Sequence, residues 1–218
     1  LPGCAAIPAP DGARARMAYE TGKRIVEMVR EDLTPKKILT REAFENAIVV
    51  NSAIGGSTNC APHITAIARH IGVEVTVQDF ETVGHDVPLL ANVQPAGEYL
   101  GQGFHRAGGV PAVMGELARA GRLHENAITA NGRTVGENCR DVRILDEKII
   151  RPYADPVKKE AGFMVLSGNL FTSALIKTSV ISPDFRKRFL SAPGAEECFV
   201  SRVIVFAGAE DYRHRIED

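Results

Sequence analysis

The chain has 218 residues, 44% of them hydrophobic and 24% charged, which is an ordinary composition for a globular protein with a buried core. A formal net charge of -1 excludes a basic field for wholesale nucleic-acid binding. No apolar run is long enough to cross a bilayer, and Leu1-Pro-Gly-Cys-Ala-Ala-Ile-Pro-Ala-Pro10 lacks the basic opening of a secretory leader, so no membrane or nucleic-acid partner is expected.

In chain order, residues 12–32 have helical periodicity, with Ala18, Ile25, Met28 and Val29 on one face. Thr34-Pro35 reads as an N-cap followed by proline at the first helical position. Thr40 caps a helix that carries Phe44, Ala47, Ile48 and Val50 into Gly55-Gly56. A helix follows from about Asn59 to Ile71, with Ile64, Ile67, Ala68 and Ile71 in register and Gly72 as its stop. Glu74–Gln78 alternates apolar and polar and is predicted as a strand, with Asp79 capping a short helix. Val87–Val93 reads as extended or loop-like, and a glycine-rich stretch runs from Gly97 to Gly109. Gly108-Gly109-Val-Pro111 opens a helix with Val113, Met114 and Leu117 inward and Gly121 at its C′ position. Ala127–Ala130 is predicted as a strand, and Thr134-Val-Gly-Glu137 as a capping box. This alternation indicates an α/β chain.

The texture changes near residue 145. Arg151–Pro156 is turn-rich, and three strand-like segments follow at Phe163–Leu166, Ala174–Lys177 and Arg202–Phe206. A charged helical excursion over Pro183–Leu190 separates the last two. The expected division is residues 1–148 as part of an α/β domain and 149–218 as the incomplete start of a β-rich, barrel-like domain. The chain lacks an initiator Met and closes on what reads as a helix just begun, so both ends are expected to be cuts through a longer protein.

Chemistry is most legible in Asn51-Ser-Ala-Ile-Gly-Gly-Ser-Thr-Asn-Cys-Ala-Pro-His63. Two glycines let a ligand approach the main chain. Ser57, Thr58 and Asn59 are N-cap types at a helix start, where free N–H groups and a positive dipole end suit a carboxylate or phosphate. The candidate substrate contacts are Gly56, Ser57, Thr58, Asn59 and His63. The same residues also read as an ordinary capped corner between two helices. Gly108-Gly109 and Gly132 to Gly136 form two more glycine-to-helix transitions, so three helix starts could surround one hollow.

Cys4, Cys60, Cys139 and Cys198 lie far apart, which spells out neither a zinc ribbon nor a C-x-x-C pair and fits a reducing, cytoplasmic compartment. Cys60 and His63 are three apart on one helix, but two ligands do not make a zinc site. His85-Asp86 could be an acid/base pair, but adjacent residues seldom face each other, which favours a surface turn. No G-x-S-x-G elbow is present, and the lysine of a phosphate-binding loop is missing after Gly55-Gly-Ser-Thr58.

Asn51–Asn59 with His63, Val87-Pro-Leu-Leu-Ala-Asn92, Gly108-Gly-Val-Pro-Ala-Val113, Gly136-Glu-Asn138 and Gly168-Asn-Leu170, taken in order, resemble the dihydroxy-acid dehydratase/phosphogluconate dehydratase family. The opening Leu1–Ala9 and the excursion Ser182–Gly194 are most similar to its sugar-acid branch, the arabinonate and xylonate dehydratases. The resemblance implies a hydro-lyase that converts a 2,3-dihydroxy sugar acid to a 2-keto-3-deoxy acid, with a branched-chain dihydroxy acid as alternative substrate. It implies an iron–sulfur cluster of the 2Fe-2S type and Mg²⁺, both held by residues outside this chain. It also implies a homodimer or homotetramer. The family's cysteine motifs would precede Leu1 and its base would follow Asp218, so no catalytic or metal residue is assigned here. On that reading the isolated chain is inactive. The alternative from another class is a non-catalytic module that binds a small anion or another subunit.

Overall fold

The computed structural model describes residues 1–170, 172–185, 187, 202 and 204–216. Two compact units divide at residue 180: Leu1–Val180 and Ile181–Asp218. The first is mostly helical, consistent with an α/β chain, and comprises α1 (Gly12–Arg30), α2 (Pro35–Ile38), α3 (Arg41–Ala53), α4 (Cys60–Ile71), α5 (Asp79–Thr82), α6 (Gly101–Arg106), α7 (Gly109–Arg119), α8 (Val135–Cys139), β1 (Phe163–Leu166) and β2 (Ala174–Lys177). No helix among the described residues is long and apolar enough to cross a membrane.

Helix α3 is the axis of this unit. Thr40 accepts a hydrogen bond from the Ala43 amide at its start. Its apolar side chains divide between two cores. Val49 and Ala53 enter a core with Val87, Leu90, Phe104, Val113 and Leu117. Phe44 and Ile48 enter another with Ala61, Ala68, Phe80 and Phe163. Phe80 and Phe163 meet edge to face with centroids 5.8 Å apart, which fastens α5 to β1. Ala47, expected inward, is exposed.

Strands β1 and β2 form an antiparallel hairpin, Phe163 opposite Lys177 and Leu166 opposite Ala174, within the segments expected. Two other expected strands are not formed. Residues Glu74–Thr76 are irregular, with Val77-Gln78 already in a turn. Ala127–Ala130 makes only the single bridge Ile128 to Thr134. Alternation alone does not make a strand where no partner edge is available. The stretch over Gly97–Gly109 holds helix α6, which its glycines concealed.

The face of α1 is a further correction. Met28 alone is buried, whereas Ile25 and Val29 are 54% and 77% exposed and Ala18 is also exposed. Ile67 of α4 likewise faces outward at 49%. The capping box at Thr134 and Glu137 is present in both directions. Asp79 does not cap α5. Its carboxylate instead accepts from the Thr76 amide at 2.7 Å and pairs with Arg41 at 2.5 Å.

The second unit contains α9 (Pro183–Phe185) and α10 (Ala209–Arg215). Most of the helix expected beyond Phe185 lies outside the described residues. Among the described residues of Arg202–Phe206 no strand is formed, and Val203 lies outside them. Phe206 and Tyr212 stack edge to face at 5.2 Å.

The Arg41 hydrogen bond holds the Asp79 carboxyl below its ordinary 3.8, against a partial desolvation that opposes it. A depressed acid stabilises the fold above its unfolded pKa, and that stabilisation is lost as pH falls through the folded value. Asp79→Asn is therefore expected to flatten the loss of thermal midpoint below about pH 4, measured by melting the full-length protein across pH 3 to 7. Equal acid limbs in variant and parent would contradict it.

Candidate functional site

The glycine pair is first of all a helix stop. Gly55 adopts φ 63° after the C-cap Ile54. Its amide donates to Ser52 O at 3.0 Å, and the Gly56 amide donates to Asn51 O at 2.8 Å. These two bonds are the reciprocal pair that closes a helix on a left-handed residue. Gly56 is glycine for a different reason: a Cβ there would overlap the Asn51 carboxamide. Asn51 is buried, and its Nδ2 donates to Ser57 O, so it tucks under the turn.

The entry to α4 is similarly self-contained. The Asn59 amide donates to Ser57 Oγ at 3.1 Å, Cys60 to Ser57 O at 3.1 Å and Ala61 to Thr58 O at 3.1 Å. Pro62 has no amide proton. The free donors expected at this helix start are therefore spent inside the turn. The dipole end remains, but the groups left to meet a ligand are chiefly side chains.

Gly55, Gly56, Ser57 and Thr58 line one wall of an open cleft of about 660 Å³. Gln94 and Pro95 contribute beside them, and the facing wall comes from Leu175, Ile176 and Lys177 of β2. Ser57 is exposed and Thr58 half-buried. Asn59 and His63 do not line this cleft. Both are exposed on the first turn of α4 and before it. The fold thus brings together Gly56, Ser57 and Thr58 of the expected set and leaves the other two aside.

Lys177 is the residue that sequence reasoning missed. Its Nζ donates to Gly55 O at 2.9 Å across 122 positions of chain. Burial pushes its ammonium down from the ordinary 10.5, partly offset by Cys60 nearby. Its place in the expected strand Ala174–Lys177 was the available signal, since a lysine at the end of a strand was readable but its target was not. Beneath the turn, the Ser179 hydroxyl is fully buried and has no hydrogen-bond partner among the described residues.

The three glycine-hinged helix starts do meet, though around a different hollow. Cys60 of α4, Val110 and Pro111 of α7 and Val135 of α8 all line a cavity of about 570 Å³ with Ile54 and Ile64. No charged side chain lines it among the described residues, so it is an apolar chamber rather than the anion cradle expected from the spacing.

The residues present do not fit an iron–sulfur cluster or Mg²⁺. Among the described residues no three His, Cys, Asp or Glu side chains gather as a metal would require. Cys4 is exposed, Cys60 half-buried and Cys139 buried, and burial raises the Cys139 thiol above its ordinary value. Cys198 lies outside the described residues.

The domain description "Dihydroxy-acid/6-phosphogluconate dehydratase N-terminal" matches residues 1–138. Over its whole length the chain is 54% identical to D-xylonate dehydratase of Caulobacter vibrioides, covering 36% of that protein. It is 42% identical over its whole length to L-arabinonate dehydratase of Rhizobium leguminosarum bv. trifolii, again covering 36%. With dihydroxy-acid dehydratase of Ignicoccus hospitalis it shares 42% identity across 86% of the chain and 34% of that protein. The chain spans about a third of the length of these curated relatives.

Gly56→Ala is expected to displace Asn51 and loosen the turn, at a cost of roughly 1–3 kcal/mol from overpacking. Chemical denaturation of the full-length protein measures this directly, and a variant as stable as its parent would show that the turn yields without cost.

Proposed function

The chain belongs to the dihydroxy-acid/6-phosphogluconate dehydratase family, and from that premise we propose that the whole protein is a hydro-lyase acting on a 2,3-dihydroxy sugar acid such as xylonate or arabinonate. The product would be the 2-keto-3-deoxy acid. The observation that carries this reading is the 54% identity with a D-xylonate dehydratase across every part of the chain. The match to a dihydroxy-acid dehydratase stops at 86% of the chain, which favours a sugar acid over a branched dihydroxy acid.

In this reading the cleft beside Gly55 is the cradle for one end of the substrate. Dehydration removes the C2 proton beside a carboxylate and expels the C3 hydroxyl. Negative charge develops on the carboxylate side, so the site must hold that end firmly while the proton leaves. The hydroxyls of Ser57 and Thr58 exchange hydrogen bonds with substrate hydroxyls, and Gly56, packed on Asn51, shapes the turn that presents them. Asn59 and His63, exposed outside this cleft, take no part in the cradle. The described residues offer no set of side chains that would hold a metal. The iron–sulfur cluster, the Mg²⁺, the homo-oligomer, the cytoplasmic location and the barrel-like domain from residue 149 onward belong to the proposal for the whole protein, carried by family resemblance.

Incubating the full-length protein with xylonate, arabinonate and a branched dihydroxy acid, and following 2-keto acid release, tests the activity. Release from a sugar acid in preference to the branched acid is expected, and release from none of the three would overturn the reading. Within the cradle, Thr58→Val removes one hydrogen bond and is expected to lower kcat/KM by roughly tenfold. Unchanged kcat and KM would remove Thr58 from the site.

A further inference from the structure

Lys177 occupies an unusual electrostatic position. Among the described residues lining the cleft it alone is charged. Its ammonium donates to the Gly55 carbonyl and enters no ion pair among the described residues. A lysine has three N–H donors, and a backbone carbonyl supplies only partial negative charge. Partly buried ammonium groups are costly unless an anion or several acceptors meet them. The opposite wall, from Gly56 to Thr58, supplies hydroxyls that recognise neutral oxygens, and the backbone amides of the α4 start are already engaged. The cleft therefore has neutral hydrogen-bonding groups on one side and one positive charge on the other.

We propose that Lys177 is a specificity-determining residue of this cleft, pairing with the carboxylate of the acid substrate while the Ser57–Thr58 wall meets its hydroxyls. This deepens the hydro-lyase reading and rests on its choice of cleft. The Gly55 carbonyl holds the lysine side chain in place before the ligand arrives, so little rotamer freedom is lost on binding. An anion at Nζ also restores the charge stabilisation that burial removes, so acid and lysine favour each other. A neutral analogue of the same shape gains neither benefit.

The test compares a C5 aldonate with its matching aldonamide, which keeps every hydroxyl and loses only the charge. Dissociation constants are measured by titration calorimetry on the full-length protein and on its Lys177→Met and Lys177→Arg variants. The parent is expected to prefer the acid. Lys177→Met is expected to weaken acid binding about 10- to 100-fold with amide binding unchanged, and Lys177→Arg to keep most of the preference. A Met variant with the parental acid-to-amide ratio overturns the proposal, including the case where both ligands weaken equally because the turn has shifted. Failure of the parent to bind either ligand overturns it as well. Turnover measured in parallel separates the two levels. Acid binding governed by Lys177 without dehydration sinks the hydro-lyase reading alone, and normal dehydration with an unchanged ratio sinks only the role of Lys177.

Discussion

The carbonyl of Ala53, at the last turn of α3, accepts the amides of Leu90 at 2.8 Å and Ala91 at 3.3 Å. A helix end leaves its final carbonyls without intrahelical partners, and this one is satisfied by the buried strip Val87–Ala91 instead of by water. That strip is bound on its other side as well. Leu89 exchanges bonds with Lys158 O and the Val157 amide, and the Arg151 amide reaches Leu90 O at 2.8 Å. Sequence-distant segments are thereby stitched to the point where α3 stops. The first glycine of the turn comes two residues later, so the wall of the cleft inherits its position from this junction.

The polarity of the cleft follows from how the turn is closed. Bonds that terminate α3 and start α4 consume the amides that a helix start ordinarily presents. Positive charge reaches the site from the hairpin on the facing wall, through Lys177. The segment leading into β1 packs closely on the chain after α5 because residue 162 is glycine. A Cβ there would overlap the Gly84 carbonyl. A Cβ on Gly84 would likewise come within 2.6 Å of Phe80 O and Ser52 Oγ, so α5 and α3 close in on that residue. The rigidity of the site is thus a packing property of residues that never meet the ligand.

Local signals were readable in the sequence wherever a single turn of chain decides the structure. The Thr40 cap, the capping box at Thr134, the helix stops at Gly72 and Gly121 and both strands of the hairpin are of this kind. Signals that depend on a distant partner were not. The alternation at Glu74–Gln78 has no edge to pair with, and the apolar face of α1 has little to cover it in this part of the protein. Gly56, Ser57 and Thr58, expected together because they are contiguous, do line one cleft. Lys177 was not expected with them, because nothing local connects it to Gly55. The shared chamber of three helix starts was foreseen in position but mistaken in character. Glycine spacing tells where helices begin and says nothing about the side chains that fill the space between them.

The bond from Lys177 to Gly55 spans 122 positions, and that span bears on how the cleft comes into being. Helices α3 and α4 with their joining turn are local and close quickly, whereas contacts of high sequence separation carry a loop-closure cost and form late. A nascent chain extending only through α8 would already display the hydroxyl wall, yet it would have no counter-charge facing it. The acid selectivity proposed for Lys177 would consequently be acquired at the end of assembly, when the hairpin brings its lysine onto the preformed turn.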